Sequence, residues 1–209
     1  MKKKSPIQKL TRFTTLPVLM DMLQRKKLVL LNPKRWEDRN DAEILLDYQT
    51  RKGLGRVVAL CFSCGDETIH HWKAFSDGSS GCCVEFDVAK LTAVFDRLKL
   101  RHGPVAYTKM NDVRDGAISF NQIPFIKRWP YRCEEEYRVI REDAKTEPFY
   151  EIPISLGMIR RVTLSQRMPE QVFRTIKSYL RGAAASSQVC RSTLFENKIW
   201  LNKFKRFNP

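Results

Sequence analysis

The stretch YRCEEEYRVI, residues 131–140, sets three consecutive glutamates in front of an alternating segment that ends in two apolar residues. The alternation over Glu135 to Arg141 predicts a half-buried β-strand. Successive side chains of a strand point to opposite faces, so Glu134, Glu136 and Arg138 are expected to share one face. Two carboxylates beside a guanidinium can have separated pKa values, because like charge raises one and the arginine lowers the other.

This arrangement suits two different roles. A carboxylate pair can polarise a hydroxyl or stabilise a developing positive charge, which is typical of a catalytic site. The same residues can form Glu–Arg pairs across a solvated strand edge, where ion pairs are common and contribute little to stability. The segment by itself leaves both interpretations open.

A second segment, WKAFSDGSSGCCVEFD at residues 72–87, places a turn rich in glycine and serine before a predicted strand, 82–86. Gly78 and Gly81 permit close backbone approach, and the amides and hydroxyls of such a turn can bind an anion. It is neither a P-loop nor a Rossmann fingerprint, since no Gly-Lys-Ser/Thr ends it. A plain turn before a strand is the alternative. The hydroxyls concerned belong to Ser76, Ser79 and Ser80.

Other polar candidates lie in shorter motifs. Arg12, in KLTRFTT at residues 9–15, could hold a diphosphate with two hydrogen bonds or could remain a surface cation. The acidic WEDRND, residues 36–41, could bind a cation, but Asp and Asn more often cap turns, and we favour the cap. His70 and His71 are expected on an extended segment, where adjacent side chains diverge and make a weak metal pair.

The six cysteines follow no repeating pattern, and only Cys61 and Cys64 have the spacing of a metal or redox pair. A zinc site of this type usually requires a second pair, which the sequence lacks. Buried thiols are therefore the favoured interpretation, and we expect no metal. A zinc or redox role for this pair stays open.

The net charge is the strongest global signal, because 38 basic side chains stand against 23 acidic ones, giving +15. Such a surface attracts polyanions and speeds encounter with them, which favours nucleic acid as a partner. A basic solvated surface and a surface matched to an acidic protein are the alternatives.

The chain contains no repeat and no Pro/Gly/Ser linker, which predicts a single domain over residues 1–209. Apolar spacing predicts helices at 16–25, 88–98 and 169–181 and short strands between them, so the predicted class is α+β. No apolar run approaches the ~20 residues of a membrane span. The basic start, residues 1–6, is not followed by a signal-peptide core, so we expect a cytoplasmic protein without membrane contact.

Several motifs in order resemble the bacterial family known as domain of unknown function 2971. They cover most of the chain, and each is modest by itself, but their order is fairly specific. Phe75 stands where that family tends to have Tyr, and Tyr131 where it tends to have Trp. The motifs are LTRF, LVLLNPKRWEDRND, CFS, HWKAFSDGSSGCCVEFD, VAY, KRWPYRCEEEYRVI, RVTLSQRMPEQVFRTIKSYL and CRSTLFENKIWLNKF.

That family more distantly resembles the ADP-ribosyltransferase fold, whose members bind NAD in a cleft between two small sheets. The resemblance implies a split two-sheet core with flanking helices, NAD as co-substrate and no metal. It implies that Glu136 stabilises an oxocarbenium-like state and that Glu134 orients or deprotonates the acceptor. Arg12 would hold the diphosphate of NAD. The resemblance further assigns Trp72, Phe75, Ser76, Ser79 and Ser80 to the cofactor pocket and His71, Tyr131 and Arg138 to substrate contacts.

The resemblance and the positive charge together predict a toxin-like transferase that modifies nucleic acid, RNA favoured over DNA. Trp36, Trp72 and Trp129 could stack on an unpaired base. A toxin–antitoxin or phage-defence role would add an acidic neutralising protein as a partner. The alternatives are a non-catalytic module that binds nucleic acid or senses infection, and an interaction protein that docks an acidic partner.

Overall fold

A computed structural model of the chain describes residues 6–76, 78–114, 118–183, 188–205 and 207. The basic start before residue 6, and Asp77 within the predicted anion-binding turn, lie outside these ranges. The strands are β1 Leu10–Thr15, β2 Lys27–Leu31, β3 Arg56–Ser63, β4 Gly81–Phe86, β5 Arg101–Pro104, β6 Ala106–Thr108, β7 Ile126–Arg128, β8 Glu136–Asp143, β9 Phe149–Pro153, β10 Ile159–Leu164 and β11 Gln188–Arg191. The helices are α1 Leu16–Arg25, α2 Arg39–Arg51, α3 Ile69–Phe75, α4 Val88–Arg97, α5 Glu170–Ala183 and α6 Lys198–Phe204.

Nine of these strands form one mixed sheet, and β6 and β7 form a separate parallel pair. The path through the large sheet is β11-β10-β4-β1-β3-β2-β9, with β8 paired to β3 and β5 paired to β8. A large and a small sheet with flanking helices confirm the predicted α+β class. The prediction of a single domain stays a prediction.

The large sheet divides at β3. β8 pairs with β3 along its whole length, from Arg56 to Ser63, and so occupies one edge of that strand. β1 and β2 must share the other edge, because a strand has only two. β1 meets it at Ser63 and β2 at Ala59, and each pairs with β3 at that single position. The two strands therefore diverge, and the expected cleft between two sheet halves opens where they leave β3.

Apolar side chains of helices and strands pack on one face of this sheet. Leu19, Met22 and Leu23 of α1 are buried there, as are Leu91, Val94 and Phe95 of α4. These are the residues that helical spacing places on one face of each helix. α1 has its predicted ends, and α5 starts at Glu170 and runs past the predicted end to Ala183. No helix among the described residues is long and apolar enough to cross a membrane.

Two helices near the cleft were not predicted. Asp38 caps α2 by accepting hydrogen bonds from the backbone amides of Asn40 and Asp41, which confirms the predicted capping role of the acidic segment. His70 and His71 lie on the seven-residue helix α3, so the expected extended segment is wrong there. Thr68 caps this helix through its side chain. Both segments contain many polar and aromatic residues, so neither shows the regular apolar spacing that predicts a helix.

Candidate active site

A cavity of about 540 Å³ occupies the cleft between β1 and β2. Its volume lies in the ~300–1,000 Å³ range of small-molecule sites. Its walls come from β1, β3, α3, the segment 36–41 and the chain just before β8. It therefore collects side chains from distant parts of the sequence, including Arg12, Glu134 and Glu136.

One wall of the cavity carries a buried cluster of charges. The ammonium of Lys127 lies 2.6 Å from Glu134 Oε2, 3.3 Å from Glu136 Oε2 and 3.8 Å from Asp41 Oδ2. Arg138 is the second cation of the cluster. Three carboxylates thus face two cations, and the cluster keeps one excess negative charge when all five groups are ionised.

Arg138 lies behind the carboxylates rather than in the cavity. It is fully buried, and it donates to Glu136 Oε1 at 2.6 Å, to Asp41 Oδ2 at 2.6 Å and to the carbonyl of Pro124 at 2.9 Å. The expected contact between Arg138 and substrate is therefore wrong, because the guanidinium is enclosed by protein groups. Its role is to hold Glu136 and Asp41 in place.

The two glutamates differ in pKa, as the sequence predicts. Burial opposes ionisation of Glu136, but the charge and hydrogen bonds of Arg138, helped by Lys127, lower its pKa to about 2. Burial raises the pKa of Glu134, and the charge of Glu136 adds to this, while Lys127 acts in the opposite sense. Burial opposes the charged form of Lys127, but Glu136 and Glu134 outweigh it and raise the pKa of the ammonium. Glu136 is thus held as a carboxylate, and Glu134 is the group better placed to exchange a proton.

The backbone brings the two glutamates together in an unexpected way. A 3₁₀ segment, Trp129–Glu134, ends at Glu135, whose φ of 41° is left-handed, and β8 begins only at Glu136. Glu134 is therefore not a strand residue, and alternation along a strand is not the reason that it lies beside Glu136. A positive φ is uncommon for a residue other than glycine. This turn is what directs both carboxylates to Lys127.

The small sheet supplies two residues that the sequence analysis missed. Lys127 lies in β7, and Tyr107 lies in β6, where its hydroxyl accepts a 2.8 Å hydrogen bond from the backbone amide of Glu136. Burial raises the pKa of Tyr107, so its hydroxyl stays neutral. A lone lysine in IKRW and a lone tyrosine in VAYT carry no sequence pattern that could have identified them. Their roles follow from the pairing of two three-residue strands.

Cys61 connects the carboxylates to Arg12. Its carbonyl accepts a 3.1 Å hydrogen bond from Arg12 Nη1, and its thiol favours the ionised form of Glu136 and so helps to lower the pKa of that carboxylate. Burial raises the pKa of the thiol, and the charge of Glu136 raises it further, so Cys61 stays protonated. Burial also lowers the pKa of Arg12. Arg12 forms no ion pair with a carboxylate in the part of the chain that the structure describes.

Helix α3 forms another wall. His71 is buried, stacks on Phe13 with centroids 4.7 Å apart, and places Nε2 3.1 Å from the Glu134 carbonyl. Because a carbonyl only accepts, Nε2 carries the proton, and Nδ1 accepts from Thr68 Oγ1 at 2.9 Å. Burial lowers the pKa of His71, consistent with a neutral ring. His71 therefore lines the cavity with both nitrogens occupied by protein, and its expected polar contact with substrate is not supported.

Two further residues of this wall are open to the cavity. Phe75 is 44% exposed and lines the cavity at the end of α3. His70, which the sequence analysis did not select, also lines it, and its Nε2 lies 3.6 Å from Glu134 Oε1. Tyr131 lines the cavity on the opposite side, with the Lys127 ammonium 4.8 Å from its ring centre.

The serine-rich turn and Trp72 do not line this cavity. The Trp72 indole is buried and donates to Glu67 at 2.6 Å, and Ser76 is buried with its hydroxyl donating to the carbonyl of Cys82 at 3.0 Å. Ser79 and Ser80 are exposed on a 3₁₀ turn, Gly78–Ser80, outside the cavity wall. The structure thus does not bring these four residues into the cavity wall, because Ser76 closes the turn that follows Phe75, and their contacts with the cofactor stay a prediction.

No group of three or more His, Cys, Asp or Glu side chains in the described ranges is arranged to hold a metal ion. Cys61 lines the cavity from β3, Cys64 directly follows that strand, and the two form no disulfide. The Cys64 thiol donates to the carbonyl of Glu135 at 3.0 Å, which links the end of β3 to the turn before β8.

No protein-family model and no curated protein matches the sequence, so the resemblance to the domain-of-unknown-function 2971 family stays a prediction. Three solved structures of DarT from Thermus sp. 2.9 are similar to the chain. The complex with ADP-ribosylated ssDNA has a TM-score of 0.45 and 12% identity, and covers 92% of this chain and 98% of its own. The NAD+ and carba-NAD+ complexes have TM-scores of 0.44 and 0.43, identities of 11% and 10%, and cover 91% and 90% of this chain and 98% and 97% of theirs. Likenesses this weak assign no residue and no activity to this chain.

Proposed function

We propose that the cavity binds NAD and that the protein transfers ADP-ribose from NAD to a nucleic acid. One observation carries this proposal: a single cavity is lined by Arg12 and by both Glu134 and Glu136, although more than 120 positions separate them in sequence. A purely structural cluster of ion pairs would not need a cavity that reaches all three residues. A site that binds a dinucleotide needs such a cavity.

The charges of the cavity match the charges of NAD. A guanidinium without a carboxylate partner, such as Arg12, suits a diphosphate, which it can bind with two charge-assisted hydrogen bonds. The carboxylate cluster has excess negative charge, which suits the positively charged nicotinamide ring. Cys61 lies between the two ends, because its carbonyl accepts a hydrogen bond from Arg12 and its thiol helps to lower the pKa of Glu136.

NAD supplies a labile bond between the ribose C1′ and the positively charged nicotinamide. The electron pair of this bond leaves with nicotinamide, which becomes neutral, while C1′ bonds to the acceptor. Glu136, held ionised by Arg138, stabilises the positive charge that develops on the ribose. Glu134, whose pKa is raised, accepts the proton that the acceptor loses. Phe75 and Tyr131 border this space and keep water from competing.

The acceptor class rests on charge. A net charge of +15 favours phosphate contacts, which place a nucleic acid before any base is chosen. RNA as the preferred acceptor over DNA, a toxin or defence role, and an acidic neutralising partner are predictions that the assays below and growth tests can decide. A cell that expresses the wild-type protein should stop growing if the toxin role is correct.

The test uses NAD labelled in its adenylate part. Wild-type protein is incubated with this NAD and, separately, with single-stranded RNA, single-stranded DNA, duplex DNA and total cell protein. We expect label to enter nucleic acid, and Glu136→Gln to lower the rate by about 100-fold or more, as for loss of one group that stabilises transition-state charge. Glu135→Gln is the matched control, since Glu135 is exposed on the same segment and does not line the cavity.

Equal labelling by both variants would remove Glu136 from the reaction. Label in protein alone would keep the transferase and reject the nucleic-acid acceptor. No label in any fraction, together with no rise of the melting temperature in millimolar NAD, would reject NAD as the ligand.

A non-catalytic nucleic-acid-binding module is the second candidate. It is favoured by the near-complete enclosure of Glu136, whose two carboxylate oxygens already accept from Arg138 at 2.6 and 3.1 Å. In that case Glu136→Gln would lower stability and leave salt-dependent binding of RNA or DNA as the measurable activity.

A further inference from the structure

A surface formed by Trp129, Tyr131, Lys109, Arg128 and Arg132, the aromatic–basic platform, lies beside the cavity. Trp129 is 41% exposed, and the charged ends of Lys109 and Arg132 lie 5.5 and 5.0 Å from its ring centre. Tyr131 is contacted in the same way by Arg128, at 5.4 Å. Two aromatic rings of one short segment therefore each have cations beside them, one of which, Lys109, comes from the chain after β6.

The platform is continuous with the candidate active site. Trp129 and Tyr131 belong to the 3₁₀ segment that ends at Glu134, and Tyr131 also lines the cavity. Lys109 directly follows β6 and Arg128 ends β7, the two strands that place Tyr107 and Lys127 against Glu136. A polymer lying on the platform would therefore pass the mouth of the cavity.

Within the described ranges, no carboxylate neutralises the cations of the platform. Lys109, Arg128 and Arg132 form no ion pair with a carboxylate among the residues that the structure describes. By contrast, many other basic side chains have such partners, for example Arg56 with Asp143 and Arg160 with Asp87. Cations without carboxylate partners, next to the exposed ring of Trp129 and the half-buried ring of Tyr131, match a chain of phosphates that carries flat bases.

The two features act together. A base that stacks on Trp129 takes the place of a flexible Lys109 or Arg132 side chain, whose charge then meets the adjacent phosphate. A duplex hides its base faces, so only an unpaired strand can use both features. An acidic protein could use the charges but would gain nothing specific from the ring.

We propose that the aromatic–basic platform binds single-stranded nucleic acid and directs one nucleotide to the cavity. The part of this inference that makes the bound strand the acceptor of ADP-ribose rests on the proposed function. The part that makes the platform a binding surface for single strands does not. Single-stranded RNA and DNA share the chemistry that the platform recognises.

The experiment measures binding by fluorescence anisotropy without NAD, using labelled oligonucleotides of about 12 nucleotides, within the usual site size. The probes are single-stranded RNA, single-stranded DNA, the DNA duplex and a poly-glutamate peptide. Trp129→Leu should weaken single-strand binding about 5- to 100-fold, the usual loss when one stacking ring is removed. The matched control is Trp200→Leu, because Trp200 is 60% exposed on the basic helix α6, which does not line the cavity. It should bind as the wild type does.

Charge is tested separately. Lys109→Gln and Arg132→Gln should each reduce the salt dependence of single-strand binding by about one released counterion. RNA and DNA are compared in parallel, and either preference is compatible with the platform. Equal losses for Trp129→Leu and Trp200→Leu, or duplex binding as tight as single-strand binding, would overturn the proposal. Binding of poly-glutamate that equals oligonucleotide binding would also overturn it, in favour of an acidic protein partner.

The outcomes separate this inference from the proposed function. The anisotropy measurement contains no NAD, so it can succeed even when no ADP-ribose is transferred. Conversely, transfer to nucleic acid by the wild type that proceeds at an equal rate in Trp129→Leu would keep the transferase and reject the platform.

Discussion

The two ends of β8 carry similar residues and behave differently. At its start, Glu134, Glu136 and Asp41 share two cations beside a cavity. At its end, Glu142 and Asp143 do not line that cavity and have four cations between them. These four cations are Lys52, Arg56, Arg101 and Arg141. Buried charges occur at both ends, so the ratio of cations to carboxylates is what distinguishes the structural cluster from the candidate active site.

The pKa of Asp143, at the end with more cations, and the pKa of Glu134, at the end with fewer, shift in opposite directions. Hydrogen bonds from Arg56, then from Arg141, hold the pKa of Asp143 well below its usual range against the effect of burial. Burial instead raises the pKa of Glu134 at the cavity. Asp143 at the far end of β8 is therefore held as a carboxylate, whereas the near end contains a carboxyl, Glu134, that can change protonation.

The largest expected effect is on stability. Arg138→Gln leaves Glu136 and Asp41 buried with one cation fewer, and loss of one partner of a buried pair costs about 3–5 kcal/mol of unfolding free energy. Arg101→Gln, at the other end of β8, should cost about 1 kcal/mol or less, because its side chain is 37% exposed. Urea unfolding followed by tryptophan fluorescence measures both. Similar losses would mean that the two clusters are energetically alike.

Acid should destabilise the start of β8 through Glu136. Its pKa is lowered from 4.5 to about 2, so its stabilising effect is present above pH 4.5 and is lost as the pH falls toward 2, by up to about 3 kcal/mol. The raised pKa values of Glu134 and Asp41 act in the opposite sense and reduce the net loss.

Unfolding curves between pH 5 and 2.5, for Glu136→Gln and for the control Glu135→Gln, check this. The free energy of unfolding should change less with pH in Glu136→Gln than in Glu135→Gln. An equal pH dependence in the two variants would contradict the predicted ionisation of Glu136.

The affinity for NAD should depend on Arg12, which has no carboxylate partner among the described residues, and not on Arg101, which is paired with Glu142. Arg12→Gln should weaken NAD binding about 10- to 100-fold, the effect of losing a charge-assisted contact to a diphosphate. Arg101→Gln removes the same charge outside the cavity and should leave the affinity unchanged. Isothermal titration calorimetry measures both constants. An unchanged affinity in Arg12→Gln would place the diphosphate elsewhere.

The smallest effect concerns the pH dependence of transfer. Activity should rise with pH as Glu134 loses its proton, with an apparent pKa above the usual glutamate value. Lys127 lowers the pKa of Glu134, so Lys127→Gln should move this rise to higher pH. The rate of transfer at saturating nucleic acid, measured from pH 4.5 to 8, gives the midpoint. A midpoint that stays in place would exclude Glu134 as the group that titrates.

The sequence predicted the parts of this molecule whose signals are local. The ends of α1, the Asp38 cap and the effect of Arg138 on the pKa of Glu136 follow from nearby residues, whereas the raised pKa of Glu134 comes first from burial. Lys127 and Tyr107 could not be predicted, since their roles depend on a pairing between β6 and β7 that joins segments 20 residues apart. The position of the serine-rich turn could not be predicted for a related reason, because nothing in its own residues indicates that the chain leaves the cavity wall after Phe75.

The left-handed turn at Glu135 has a consequence for how such a site can change over time. Removing that one residue would preserve every ionisable group that lines the cavity, yet the handedness of the bend would be lost and one carboxylate would swing away from Lys127. The gap between two acids along the chain is therefore a poor guide to whether they can cooperate. An insertion or deletion of one amino acid here could silence the site while leaving the composition of its wall intact.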